Sequence, residues 1–214
     1  MGITSEQGDR TRLWLIAAAV AIAWSGFTMT VLHLISGHNP VTDTLSSYAF
    51  TDRGTGMLAA SMLALAAGSL ALLAALSTTS VPVRGTPRIL FGTWSAGLTL
   101  AAFFPASYDS HPDPVSGEIH LYSCLVAFLS LPALALCLLE RFARFHEVPG
   151  RRLLARLSYA AVACLLVFGL CILCPWLLPV GVVQRATLAV DVALLCSIIA
   201  VLWKAISAPV VSEG

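Results

Sequence analysis

Charge is what this chain has least of. Asp, Glu, Lys and Arg make up 11% of its 214 residues, where a water-soluble domain carries roughly 25%, so there is too little polar surface to face water on every side. The charges nearly cancel, at a formal net +1, and no basic cluster offers nucleic acid an electrostatic footing. No secretory cleavage pattern follows the first apolar run, which at 13–35 is longer than a signal h-region. A G-x-S-x-G nucleophile elbow is missing, and so is any usable internal repeat. The one C-x-x-C, Cys171 and Cys174, has no second pair or nearby histidine to complete a metal set. All six cysteines fall inside or at the ends of apolar runs, where they serve as small core residues. Neither a metal nor a cofactor is expected.

What the chain does have is apolar length. Hydrophobic residues make up 58% of it and the mean hydropathy is +0.87. A membrane helix needs about 20 apolar residues, and runs of that kind fall at about 13–35, 57–76, 89–106, 120–139, 157–174 and 186–203, the third being the shortest. The expected fold is all-α, a single polytopic membrane bundle of six transmembrane helices with no room for a separate soluble domain. With the N-terminus inside, the inner segments hold Arg10, Arg12, Arg84, Arg88, Arg141, Arg144, Arg151, Arg152, Arg156 and Lys204, and only Arg53 and Arg185 lie outside. That bias places both termini in the cytoplasm. The basic segment 140–152 suits contact with anionic headgroups.

The same orientation sends most histidines and acids to the outer side. Asp109, His111, Asp113, Glu118 and His120 crowd into the connection between the third and fourth runs. Asp109 and His120 meet there if those two helices are neighbours, and Asp109-Ser-His111-Pro-Asp113 has the residue types of a metal site without a fixed motif behind it. In the first outer loop, Thr42 or Asp43 ahead of TLSSYAF has the pattern of an N-cap on a short interfacial helix, with Tyr48 and Phe50 at headgroup depth. Ser46 becomes a nucleophile only if His33 or His120 reaches it. Asp191, about one and a half turns into the last run, is the most isolated acid; a charge there costs at least ~2.5 kcal/mol, so it should face the bundle interior, paired with Arg185 or a neighbouring hydroxyl, or acting as a proton donor. Trp24, Phe27, Phe103, Phe104 and Tyr122 fall in the outer half of the runs or beside them, either as an interfacial belt or as walls able to hold a cation.

Three segments carry a resemblance: NPVTDTLSSYAF after the first run, FFP ending the third, and Gly117-Glu118-Ile119-His120 entering the fourth. On these and the six-span layout the chain resembles the bacterial membrane proteins grouped as DUF998, whose activity is unassigned. In that family an acid often stands two residues after the proline; here Ser107 does, with Asp109 displaced by two. In character, though not in motif, the chain is similar to small membrane-bound terpene cyclases. That similarity implies acid-initiated cyclisation of a prenyl chain, with Asp191 or Asp109 as proton donor, His120 or Tyr48 tuning it, Asp43 as a further catalytic candidate, and Trp24, Phe27, His33, Ser46, Tyr48, Phe103, Phe104 and Tyr122 around the substrate. The expected partner is then a lipid-soluble small molecule received from the bilayer. Loss of turnover in a folded Asp191→Asn protein is the corresponding expectation. A small transporter or lipid-binding accessory protein is the non-enzymatic alternative, and a lipid-ester hydrolase a third.

Overall fold

The computed structural model describes residues 5–51, 56–79, 83–143, 150–174 and 176–207. Asp52, Arg53, Arg144 and the 144–149 part of the basic segment lie outside those residues. Among the described residues six α-helices run in chain order: α1 (Ser5–Ile35), α2 (Met57–Ser77), α3 (Thr86–Phe103), α4 (Pro114–Ala143), α5 (Arg151–Leu173) and α6 (Val180–Ser207), with a short 3-10 helix, Leu45–Phe50, between α1 and α2. Breaks in the apolar pattern set the ends. Gly56 and Gly150 precede α2 and α5 with φ of 82° and 88°, a left-handed backbone that glycine adopts without steric cost. Pro87 and Pro114 stand in the first turns of α3 and α4, where a missing N–H leaves no bond unmade. Pro132 sits inside α4, which continues through it.

Five of these helices, all but α3, are long and apolar enough to cross a membrane, and the chain is an all-helical multi-pass membrane protein. α3 has only 18 residues and begins Thr-Pro-Arg, which dilutes its hydropathy. The outward faces are apolar: Leu166, Leu173 and Leu121 are exposed, and only 17% of the apolar stretch of α5 is buried inside the protein. Such surfaces are stable against lipid and not against water.

Consecutive helices lie side by side, and α6 returns to α1 to close the ring. In one half of the bundle, near the start of α1 and the end of α6, Leu76, Phe91, Leu138, Leu154, Ile198 and Leu202 form a dense core. Here Thr11 Oγ1 meets Thr78 Oγ1 at 2.8 Å. Arg141 Nη2 donates to the Arg84 carbonyl at 3.3 Å, so the start of α3 and the end of α4 also share this end. Lipid tails are as apolar as leucine, so helices in a bilayer associate through close approach of small residues. Gly97 shows this between α3 and α4: a Cβ there would lie 2.6 Å from the Ser123 carbonyl oxygen and 3.0 Å from the Ala127 side chain.

The other half is less filled. There the 3-10 helix drops Leu45 and Tyr48 between α1 and α2, against Leu32 and Leu58. Tyr48 is 1% exposed, so its ring packs inside the bundle and not against lipid headgroups.

Candidate functional site

Between the 3-10 helix and the dense core lies a cavity of about 480 Å³, within the usual size of a small-molecule site. Its upper wall carries His33 from the end of α1, Ser46 from the 3-10 helix, His120 from the start of α4, and Gln184 and Arg185 from the start of α6. Deeper, the lining turns apolar, with Leu65, Trp94, Leu98, Phe128 and Val192. The hydroxyls at depth bond to each other or to backbone: Ser25 Oγ and Ser61 Oγ are 3.0 Å apart, and Trp94 Nε1 donates to Ser69 Oγ at 2.9 Å. Gly26, Thr30 and Ala189 line the cavity and are exposed at the bundle surface. The cavity therefore reaches the outside laterally, between α1 and α6.

His120 is 6% exposed, and its tautomer follows from its neighbours. Nδ1 faces the carbonyl oxygens of Phe104 and Ala101 at 2.8 and 3.0 Å. Carbonyls only accept, so Nδ1 carries the proton and Nε2 presents a lone pair. Ser46 Oγ lies 3.1 Å from that Nε2 and donates to it. Cys124 Sγ is 3.5 Å from the same nitrogen. A hydroxyl, an imidazole base and a group orienting the imidazole are thus in contact, the arrangement that activates a serine.

Arg185 holds the upper wall together. Nη1 donates to the carbonyls of Asp43 and Gly181 at 2.7 and 2.9 Å, and Nη2 donates to Tyr48 Oη at 2.7 Å. Tyr48 Oη also meets His33 Nδ1 at 2.7 Å. Gln184 Oε1 accepts the Leu45 N–H at 2.7 Å, fixing the turn that presents Ser46. Gly181 makes the docking possible, since a Cβ there would lie 2.7–2.8 Å from the carbonyls of Pro40, Val41 and Asp43. Tyr108 closes the top, its Oη 2.8 Å from Thr44 Oγ1. Burial raises the Tyr108 phenol above its ordinary pKa.

The acids singled out by sequence lie elsewhere. Asp191 is fully buried, neither carboxylate oxygen has a hydrogen-bond partner among the described residues, and it is not part of the cavity lining. The pairing of Arg185 with Asp191 is not formed, because the guanidinium turns instead to Asp43, Gly181 and Tyr48. Asp109 is exposed in the α3–α4 connection and does not meet His120, whose ring is taken up by α3 carbonyls and Ser46. Asp113 caps α4, its Oδ1 accepting the Ser116 N–H at 3.1 Å. Ser107 accepts the Asp113 N–H at 3.0 Å. Among the described residues no three His, Cys, Asp or Glu side chains converge as a metal site.

Asp43 also departs from expectation. The N-cap of the 3-10 helix is Thr44, with no side-chain cap bond; Asp43 Oδ2 accepts the Asn39 N–H at 2.9 Å and meets His38 Nδ1 at 3.2 Å. The Asn39 amide, with Thr42 and His38, holds this carboxyl below its ordinary pKa. Trp24, Phe27, Phe103, Phe104 and Tyr122 are exposed and none lines the cavity. They point outward as a lipid-facing belt, so the expected aromatic wall is supplied by Trp94 and Phe128 instead. His33, Ser46 and His120 do line the cavity, and Tyr48 supports it from behind.

Sequence reasoning named the Ser46–His120 contact only as a condition, with His33 as the other candidate, and did not find the carbonyl pair behind His120 or Arg185 as the anchor. Arg185 left one trace, being one of two arginines assigned outside in a chain where charge is scarce. In comparisons with known proteins, the model of a family described as "Protein of unknown function (DUF998)" matches residues 13–202. No curated protein and no solved structure matches.

Proposed function

Because the chain belongs to the DUF998 family, a membership that carries no assigned activity, its chemistry has to be argued from the site, and we propose that it is an integral membrane enzyme performing acyl transfer on a lipid-soluble ester or amide. Ser46 is the nucleophile and His120 the general base. The supporting observation is the 3.1 Å contact of Ser46 Oγ with a His120 Nε2 whose ring is oriented through Nδ1 by two carbonyls, in the wall of a mostly apolar cavity.

The proton of Ser46 Oγ passes to Nε2 as Oγ attacks the substrate carbonyl carbon. Collapse of the tetrahedral intermediate breaks the bond to the leaving alcohol or amine, which takes that proton back from Nε2. Water, activated by the same Nε2, then cleaves the acyl–Ser46 ester and restores the hydroxyl; a second alcohol in its place gives transacylation. Carbonyls in the orienting position carry no full negative charge, so the imidazolium formed in the first step is stabilised less than beside a carboxylate. A slow but selective enzyme is the expectation.

In this reading all six helices cross the bacterial plasma membrane, α3 included, with both termini in the cytoplasm and the cavity in the outer leaflet. The test is labelling of the detergent-solubilised protein with an alkyl fluorophosphonate. Wild type should be labelled, Ser46→Ala should not, and His120→Gln should slow labelling by about 10²-fold or more. Unchanged labelling of Ser46→Ala would refute the assignment.

Acid-initiated cyclisation of a prenyl chain is the competing chemistry, and the observation favouring it is the unpartnered, buried Asp191. It requires that carboxyl to meet substrate, whereas the cavity is lined without it. Prenyl turnover lost in Asp191→Asn and kept in Ser46→Ala would select cyclisation; the opposite pattern selects acyl transfer.

A further inference from the structure

Arg185 is a permanent cation in the wall of an apolar cavity, and no acid among the described residues lies within ion-pair distance of it. Asp43 offers it only a backbone carbonyl, while the Asp43 carboxylate is occupied by Asn39, Thr42 and His38. Three of the five guanidinium N–H groups are used, and the charge faces the Tyr48 ring, its centroid 5.5 Å away, but no carboxylate among the described residues. Native proteins rarely leave such a group without a complement unless something else supplies one.

The shape of the cavity says where the complement sits. His33, Ser46, Gln184 and Arg185 gather at one end, and Leu65, Trp94, Leu98 and Phe128 lie at the other. From His33 down to Ser25 on α1, or from His120 to Phe128 on α4, is eight residues, so the apolar part runs about 12 Å along the bundle. The lateral opening between α1 and α6 is bordered by Gly26 and Ala189, and around Gly26 there is open space.

From these observations we propose that the cavity takes an amphiphile with an acidic headgroup, a phosphate or carboxylate set against Arg185, its tail lying along Leu65, Trp94 and Phe128 after entry from the membrane between α1 and α6. This names the substrate class of the Ser46 site and so rests on that reading for turnover, though the binding itself needs no catalysis. Membrane lipid is the source; a soluble phosphate would satisfy Arg185 and leave the apolar length unused.

The experiment measures binding in Ser46→Ala protein, where no turnover interferes, by native mass spectrometry from detergent. Phosphatidylglycerol and phosphatidylcholine of identical acyl chains are compared, with glycerol phosphate as competitor. Phosphatidylglycerol should bind at least about tenfold more tightly, Arg185→Gln should abolish that preference, and Arg185→Lys should keep part of it. Glycerol phosphate should compete only at far higher concentration. Equal affinity for the two lipids overturns the proposal, as does a preference that survives in Arg185→Gln, and full displacement by glycerol phosphate overturns the lipid assignment. If Arg185→Gln fails to fold, Ala189→Trp in the Ser46→Ala protein replaces it: plugging the lateral opening should weaken both lipids, and unchanged binding there overturns the proposed route. A clear preference in Ser46→Ala alongside wild-type protein that resists fluorophosphonate keeps the binding site and removes only the acyl-transfer reading.

Discussion

His120 is held by carbonyls on one nitrogen and a serine on the other, so its two faces can be separated by mutation. Glutamine can imitate the Nε2 acceptor but places it on a flexible chain; asparagine is too short to reach Ser46 while remaining against Phe104. Both should fold, and both should lose most of the fluorophosphonate reactivity of Ser46, asparagine more completely. A variant that binds lipid normally but reacts slowly would mark His120 as acting on the nucleophile and not on packing. Asp191 belongs to the opposite case. It is fully buried on α6 and away from the cavity lining, so Asp191→Asn should leave the Ser46 labelling rate within about twofold, as expected of a site with no shared partner. Its position in the last span announced it in sequence because a lone acid among leucines is conspicuous. Sequence turned it to the bundle interior, as found, but could not show that the cavity is lined without it. Ser46 was visible only as a conditional nucleophile, since its partner lies 74 positions away and no local motif encodes that distance.

The turn from Asn39 to Asp43 and the 3-10 helix after it form the element that builds the site, and they seat on α6. Gly181→Ala would push a methyl into the carbonyls of Pro40, Val41 and Asp43, all within 2.8 Å of the added carbon. Overpacking of that kind costs about 1–3 kcal/mol, and here the loop would move before the helix does. Fluorophosphonate labelling should therefore fall by about tenfold or more, while the apparent Tm, set largely by the opposite half of the bundle, changes much less. Acid acts on the same element through Asp43. Its folded pKa is lowered, so the stabilisation it gives is complete above the unfolded carboxylate value of about 3.9 and disappears as pH falls through the lower folded value. The protection factor of the Asn39 amide, its exchange relative to the intrinsic rate at each pH, should hold from pH 7 down to about 4 and fall below it, whereas in Asp43→Asn it should be low throughout. The helical character of this loop was legible from Thr44-Leu45-Ser46-Ser47-Tyr48, but the burial of its tyrosine was not. A tyrosine in a hydrophobic hexapeptide at a membrane edge ordinarily marks the interface, and only the hydrogen bonds from Arg185 and His33 draw Tyr48 inside.

For the whole molecule, the helix ends were not legible, since α1, α4, α5 and α6 begin before their runs, at Ser5, Pro114, Arg151 and Val180. Six apolar runs were, because bilayer thickness fixes the length of each, and each falls on one α-helix. The exception, α3, shows why: a helix enclosed by α2 and α4 can trade hydropathy for the small residues that allow contact, and Gly97, Ser95 and Thr99 do so. Arg141 reaching the Arg84 carbonyl and Thr11 meeting Thr78 put the start of α1, the end of α2, the start of α3 and the end of α4 together, and that end carries Arg10, Arg12, Arg84, Arg88 and Arg141. The excess of positive charge predicts that it faces the cytoplasm, with Tyr108, Asp109 and the mouth of the cavity outside. A cysteine replacing exposed Asp109 should react with a membrane-impermeant maleimide on intact cells, above the signal of the native cysteines. One replacing Arg84 should react only after the membrane is opened. Reversed labelling would place Ser46 in the inner leaflet, and the lipid it meets would then be drawn from the cytoplasmic side.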